Sequence, residues 1–432
     1  MKYISTNKQS ETITFQEAVL SGMPFDNGLY MPQKIPRFNK KILDNLKQFK
    51  FEEISFLIAK QFIEDEINDE ILYDIINKTI QFDAPIVKLE NKKYILELFH
   101  GPTFAFKDFG ARFMARTMEY FVRDYDNDLN ILVATSGDTG SAVADGFYNV
   151  QGINVIVLYP SGKVSDIQEK QMTTLGNNIY TLEVEGTFDD CQSLVKQGFL
   201  DKELRRSINI TSANSINISR LIPQTFYYFW GVIQLPTGSR KVFSVPSGNF
   251  GNVAAAIISK KMGLPIDTLI ASTNSNDAVP KYLNNYKYVP KPSIETISNA
   301  MDVGDPSNIQ RINQIYNNNP KDILNDMYSW SFSDSETIES IRNTYEKFNY
   351  IADPHTAVGI LGYEKYIKEV SDNQIGVILS TAHAAKFKNV IKDDIDFTID
   401  IPNSLKKVLT KKKLSIKIQN SYNHLKEFIK SI

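Results

Sequence analysis

Apolar and polar positions alternate with two different rhythms along this chain, and the change falls near residue 94. Over the first ninety or so residues, apolar side chains recur at three-to-four spacing in "NKKILDNLKQF" and "DEILYDIINKTI", which predicts amphipathic helices. "TFQEAVLSG" reads as a further helix closed by its glycine, and "DNGLYMPQKIP" supplies turns. From residue 94, short runs of branched and other apolar residues take over: "YILELF", "NILVATS", "INVIVLYP", "NIYTLEV", "KVFSVPS", "DTLIAST" and "IGVILST". These predict buried strands. Most are separated by segments long enough for a helix, including "DFGARFMARTMEYFVRDY", where Phe109, Phe113, Met118, Phe121 and Val122 can share a face. Alternating strands and helices predict an α/β fold with largely parallel sheets covered on both sides.

The pattern divides the chain into a mainly helical N-terminal domain (1–93), a smaller α/β domain (94–220) and a larger one (221–432). The last carries an Asn- and Pro-rich insertion near 290–330 and a helical C-terminal extension. Composition changes this picture little: 42% hydrophobic and 23% charged residues describe ordinary globular material. A net charge of −2 gives no general field for nucleic acid or an anionic membrane, and neither is expected as a partner. The lysine-rich stretches Lys406–Lys413 and "KFKNVIKDD" read as solvated faces. Cys191 is the only cysteine, so it reads as a buried packing residue and no intrachain disulfide can form. The N-terminus lacks the order of a signal peptide, and no apolar run approaches the roughly 20 residues of a membrane span. A soluble cytoplasmic protein is expected.

Candidate chemistry gathers where strands end in small polar residues and enter helices, the places where open α/β sheets bind ligands. In "PSGNFGN", Gly248 and Gly251 free several backbone N–H groups to turn toward one point, an anion cradle suited to phosphate. A plain tight turn is the other reading, and the absence of GK[ST] weakens a nucleoside triphosphate. "TSGDTGS" adds hydroxyls and Asp138, which equally fit a capped helix start. "SANSINISRL" offers Asn214, Ser215, Asn217 and Arg220, the last a phosphate clamp or a surface arginine. Lys107, in "FHGPTFAFKDFGARFMA", stands among residues ready for burial, where an ammonium must be paired, neutralised or chemically engaged. A desolvated lysine amine is a nucleophile for carbonyl compounds. The four histidines show no paired metal spacing. A lysine together with a phosphate cradle points to pyridoxal 5′-phosphate.

Those segments together resemble the threonine synthases, in the larger form found in bacteria and fungi. "FHGPTFAFKDFGARFMA", "DNGLYMPQKIP", "ATSGDTGSAVADGFY", "SANSINISRLIPQ", "VPSGNFGN", "SNAMDVGDPSN", "DPHTAVG" and "STAHAAKF" occur in that family's order and cover nearly the whole chain. The resemblance implies the fold of the tryptophan-synthase β-subunit group (fold type II): two α/β domains with the cofactor between them. It implies a lyase that converts O-phospho-L-homoserine and water to L-threonine and phosphate, the last step of threonine biosynthesis. Lys107 falls at the position that bonds to the cofactor and moves protons at the substrate. Gly248, Asn249, Phe250, Gly251 and Asn252 fall where the phosphate is held, and Thr381 where a hydroxyl meets the ring nitrogen. Asp138 falls where many relatives place an Asn near the cofactor's phenolic oxygen, and it brings a charge that an Asn lacks. Thr103, Ser136, Thr139 and Arg220 are the implied substrate residues.

Two rival functions remain at this point: a related phospholyase acting on phosphorylated amino acids, and a catalytically retired binding protein on the same fold. The intact lysine segment and both loops argue against the second. A dehydratase or cysteine synthase is disfavoured because its lysine segment lacks "HGPTFAFKDF". No obligate protein partner is evident.

Overall fold

The computed structural model describes residues 1–371 and 373–432. Two sheets organise it. The larger has the order Met327–Ser331, Thr268–Thr273, Lys241–Pro246, Ile375–Ser380, Lys93–Glu97, Ile86–Glu90, and every pairing is parallel except the last. The smaller is wholly parallel, in the order Ile416–Gln419, Ile179–Glu185, Ile153–Pro160, Leu129–Ala134, Asn209–Ser212.

Period-two burial shows why both faces are covered. In the larger sheet Ile95, Val242, Ile270 and Ile378 face one way, against Ile360, Tyr363 and Tyr366 of helix Pro354–Glu369. Their neighbours Leu96, Phe243, Val245, Leu269, Val377 and Leu379 join the main core with helices Gln224–Gln234 and Gly251–Lys261. The smaller sheet splits the same way. Ile131, Val133, Val155 and Val157 enter the main core, which also takes Phe109, Phe113, Met118, Phe121 and Val122 of helix Lys107–Val122. Leu132, Ala134, Ile156, Leu158, Leu182 and Val184 face helix Phe188–Leu200 and the C-terminal helix Tyr422–Ser431. Buried on both sides, such strands are continuous apolar runs.

All seven strands expected from the sequence form. The N-terminal helix spans Phe15–Ser21, with a capping box from Thr14 and Glu17 and a closing Gly22 at φ 71°. "DEILYDIINKTI" forms helix Asp69–Thr79, whereas "NKKILDNLKQF" yields only Lys40–Asp44 and a 3₁₀ turn. Helix Phe51–Ile63 and the antiparallel pair Tyr3–Ser5 with Tyr30–Pro32 were not expected from the pattern.

Sheet membership cuts across the expected partition of the chain. Strand Ile86–Glu90, within the 1–93 stretch expected to be helical, and strand Lys93–Glu97, across the 93/94 boundary with the expected smaller domain, both join the larger sheet. The C-terminal extension is not wholly helical, because Ile416–Gln419 pairs with Ile179–Glu185 in the smaller sheet. The Asn- and Pro-rich stretch is more than an excursion: Met327–Ser331, including Trp330, is an edge strand of the larger sheet. Lys386 in "KFKNVIKDD" is buried, contrary to a solvated face, while Lys406, Lys407, Lys411 and Lys412 are exposed. Cys191 is buried, and burial pushes its thiol up to about 12, in line with a packing role. Among the described residues no helix is long and apolar enough to cross a membrane.

Leu425 and Ile429 tie the C-terminal helix to Cys191, Leu194 and Leu204. Leu425→Ala should cost about 2–5 kcal/mol, the usual range for a buried leucine. Urea unfolding followed by circular dichroism measures it; a loss under ~0.5 kcal/mol would show that the tail does not brace the smaller sheet.

Candidate active site

Four parallel strands bring their carboxyl ends to one cavity of about 500 Å³ between the two sheets. Leu129–Ala134 leads into Thr135 and Ser136, Asn209–Ser212 into Asn214 and Ser215, Lys241–Pro246 into Ser247 and Gly248, and Ile375–Ser380 into Thr381. The volume suits a small organic ligand.

Lys107 reaches this cavity from the first residue of helix Lys107–Val122. Its segment is stitched to the end of a neighbouring strand: the Phe106 N–H donates to the Thr381 carbonyl (2.9 Å) and the His383 N–H to Phe104 (3.1 Å). Lysine and Thr381 are thereby fixed beside each other. The Lys107 side chain keeps 17% of its surface exposed. Burial lowers its pKa; the cations of Lys386 and Arg220 lower it further, against the attraction of Asp138. The helix N-terminus disfavours positive charge as well.

Asp138 stands 3.8 Å from the Lys107 amine. Its closer partner is Lys386, whose Nζ lies 2.6 Å from Oδ1 and also donates to the Thr103 carbonyl at 2.9 Å. Gln168 donates to the same carboxylate oxygen at 2.7 Å. Burial would raise the Asp138 carboxyl, but these two lysines and the hydrogen bonds hold it well below the usual range. The charge of Asp138 is therefore offset within the protein.

The glycine turn is shaped by close approach. A Cβ on Gly248 would lie 2.5 Å from the Met301 Cα and 3.1 Å from the Ala300 carbonyl oxygen, so only glycine fits. Phe250 takes a left-handed φ of 58°, and helix Gly251–Lys261 starts with N–H groups that lack intrahelical partners. Tyr227 and Tyr228 donate to Asn252 Oδ1 at 2.8 and 2.7 Å, leaving the buried Asn252 Nδ2 with no partner in the protein.

Asp138, Gly248, Asn249, Phe250, Gly251, Asn252 and Thr381 line the same cavity as Lys107, as do Ser136, Thr139 and Arg220. Arg220 is buried, with Nη1 donating to the Ala213 carbonyl at 2.6 Å, and burial pulls its pKa down to about 10. Helix residue Gly110 makes room for it: a Cβ there would lie 3.0 Å from Arg220 Nε. Thr103 does not line the cavity. Its N–H and hydroxyl bind Asp108, whose carboxyl burial pushes up to about 7, and its carbonyl takes Lys386 and Gln171. Thr103 braces the lysine turn, its polar groups engaged by Asp108, Lys386 and Gln171.

Several cavity groups had been given no role from sequence. His355 faces Asp353 through Nδ1 (2.7 Å) and accepts the Ala300 N–H on Nε2 (3.2 Å), steadying the 299–305 wall. Burial pushes the Asp302 carboxyl up to about 6, against hydrogen bonds from Thr296 and Asn274. Lys386 carried the same signal as Lys107, a lysine among alanine and phenylalanine in "HAAKF".

Comparisons with known proteins agree along the whole chain. The model for "Threonine synthase N terminus" matches residues 2–80, "Pyridoxal-phosphate dependent enzyme" residues 79–381, and "Threonine synthase, C-terminal" residues 356–429. A threonine synthase of Haemophilus influenzae is 43% identical over 99% of both chains. The crystal structure of the Escherichia coli threonine synthase superposes with a TM-score of 0.92 at 40% identity, covering all of both chains. That of a pyridoxal-phosphate-bound threonine synthase from Brucella melitensis gives 0.94 at 31% identity, over 100% of this chain and 99% of the other. The chain belongs to the threonine synthase family of pyridoxal-phosphate-dependent enzymes.

Proposed function

We propose that the protein converts O-phospho-L-homoserine and water to L-threonine and phosphate, in the cytoplasm, and that the strand-end cavity is where it does so. One observation carries the reading: the half-buried Lys107 amine shares a cavity with a glycine cradle and a buried arginine. The residues present fit pyridoxal 5′-phosphate. Asn252 Nδ2 is a buried donor without a protein partner, and the turn at Gly248 has no space for a side chain.

In this reading Gly248–Asn252 would hold the cofactor's phosphate, Lys107 would hold its aldehyde carbon, and Asp138 and Thr381 would hold its ring. The cofactor, when bound, supplies a conjugated ring that withdraws electrons from bonds at the substrate's α-carbon. The chain supplies the rest. Lys107, its pKa lowered by burial and its side chain flexible along four carbons, takes and returns protons at the α- and β-carbons. Arg220, with Ser136 and Thr139, holds the substrate's anionic groups. Phosphate departs from the γ-carbon, which gains a proton to become the methyl group, and the hydroxyl of water ends on the β-carbon in place of a lost proton. Thr381 offers an uncharged hydroxyl where a carboxylate would fix a proton on the ring. Residues 299–305 form one wall of the cavity.

Incubation with phosphohomoserine should release threonine and phosphate in equal amounts; 2-oxobutyrate in place of threonine would establish a phospholyase instead. Lys107→Ala should fold normally yet lose turnover by at least ~10³-fold and carry no lysine-linked cofactor after borohydride reduction. Normal turnover by that variant would remove Lys107 from the chemistry. Arg220→Ala should raise the KM for phosphohomoserine roughly 10–100-fold, the scale of one lost charge-assisted contact, and weaken unphosphorylated amino acids less. Equal losses for both would show that Arg220 does not hold phosphate.

A further inference from the structure

Arg311, on helix Ile309–Ile315, is fully buried, yet among the described residues no carboxylate pairs with it. Its guanidinium donates to neutral acceptors: the carbonyls of Ser215 (2.9 Å), Ile216 (2.6 Å) and Tyr30 (3.3 Å), and Asn308 Oδ1 (2.6 Å). Nε has no partner in the protein. Burial alone pulls its pKa down to about 9, with no acidic neighbour opposing the shift. A buried charge of this kind is costly unless another charge offsets it.

The contacts lead to one place. Asn308, oriented by Arg311, donates from Nδ2 to the Asn249 carbonyl at 2.9 Å. Asn249 in turn donates to Ser215 Oγ (2.6 Å) and accepts the Ser307 N–H (2.6 Å). Arg311 thus holds Ser215 directly and Asn249 through one amide, and both residues line the cavity at the glycine turn. Arg311 itself does not line it.

We propose that Arg311 is a positioning residue for the anion cradle, and that the phosphate held there is the counter-charge its buried guanidinium lacks within the protein. The proposal rests on the reading that Gly248–Asn252 hold the cofactor's phosphate. It separates two effects of one side chain. The clamp on carbonyls serves any ligand, whereas the charge favours only a ligand with an anionic tail.

The test compares affinities of the cofactor-free full-length chain for pyridoxal 5′-phosphate and for pyridoxal, followed by absorbance titration. The wild-type chain should prefer the phosphorylated form. Arg311→Met should reduce that preference at least tenfold, and Arg311→Lys, which keeps the charge, should hold it within about threefold. Equal weakening of both ligands by Arg311→Met would make the residue a carbonyl clamp only and overturn the proposal; so would an unchanged preference. Should Arg311→Met fail to fold, loss of the preference in a folded Arg311→Lys variant overturns it and retention supports it. A wild-type chain with no preference would instead overturn the cradle assignment itself.

Discussion

An ammonium on Lys107 meets opposition from three sides: a dry surrounding, the positive end of helix Lys107–Val122, and the cations of Lys386 and Arg220. Only Asp138 pulls the other way, and Lys386 holds that carboxylate at 2.6 Å against 3.8 Å for Lys107. The amine is therefore pressed toward its neutral form without being cut off from a charged neighbour. Everything else in the site presupposes this balance, since a permanently ion-paired lysine would be neither nucleophile nor base.

The two sheets make that balance possible by bringing distant stretches to one cavity. Parallel strands all point their carboxyl ends the same way, so loops far apart in sequence converge. Asp138 follows one strand of the smaller sheet, and Lys386 follows a central strand of the larger. The close approach at Gly248 and the turn at Phe250 then shape the glycine-turn end of the cavity, while Tyr227 and Tyr228 orient Asn252 from the helix beneath.

Much of this was legible in the residue pattern, and what was missed has a common cause. The seven strands anticipated include every interior strand, whose branched runs are buried on both faces. Within the two larger sheets, the four not anticipated, Ile86–Glu90, Asn209–Ser212, Met327–Ser331 and Ile416–Gln419, are the four edges. Their residues are largely half-buried or exposed, so no unbroken apolar run marks them. In the site, lysine, glycine turn and arginine announced themselves by residue type. Lys386 was hidden by the lysines that follow it, because its pairing with Asp138 exists only once the sheets meet. Thr103 is the converse case: its place beside the lysine segment could be read, but its bonds to Asp108, Lys386 and Gln171 could not.

The strand at Ile416–Gln419 bears on how such a chain comes to be made. It closes the open side of Ile179–Glu185, whose N–H and C=O groups would otherwise wait exposed as a template for another chain. The larger sheet is likewise interrupted, its strands at 86–97 meeting their partner only at 375–380. During synthesis from the N-terminus neither sheet can be finished until almost the whole polypeptide has left the ribosome. A nascent chain stalled before residue 416 would present an unprotected edge, exposed to misassembly.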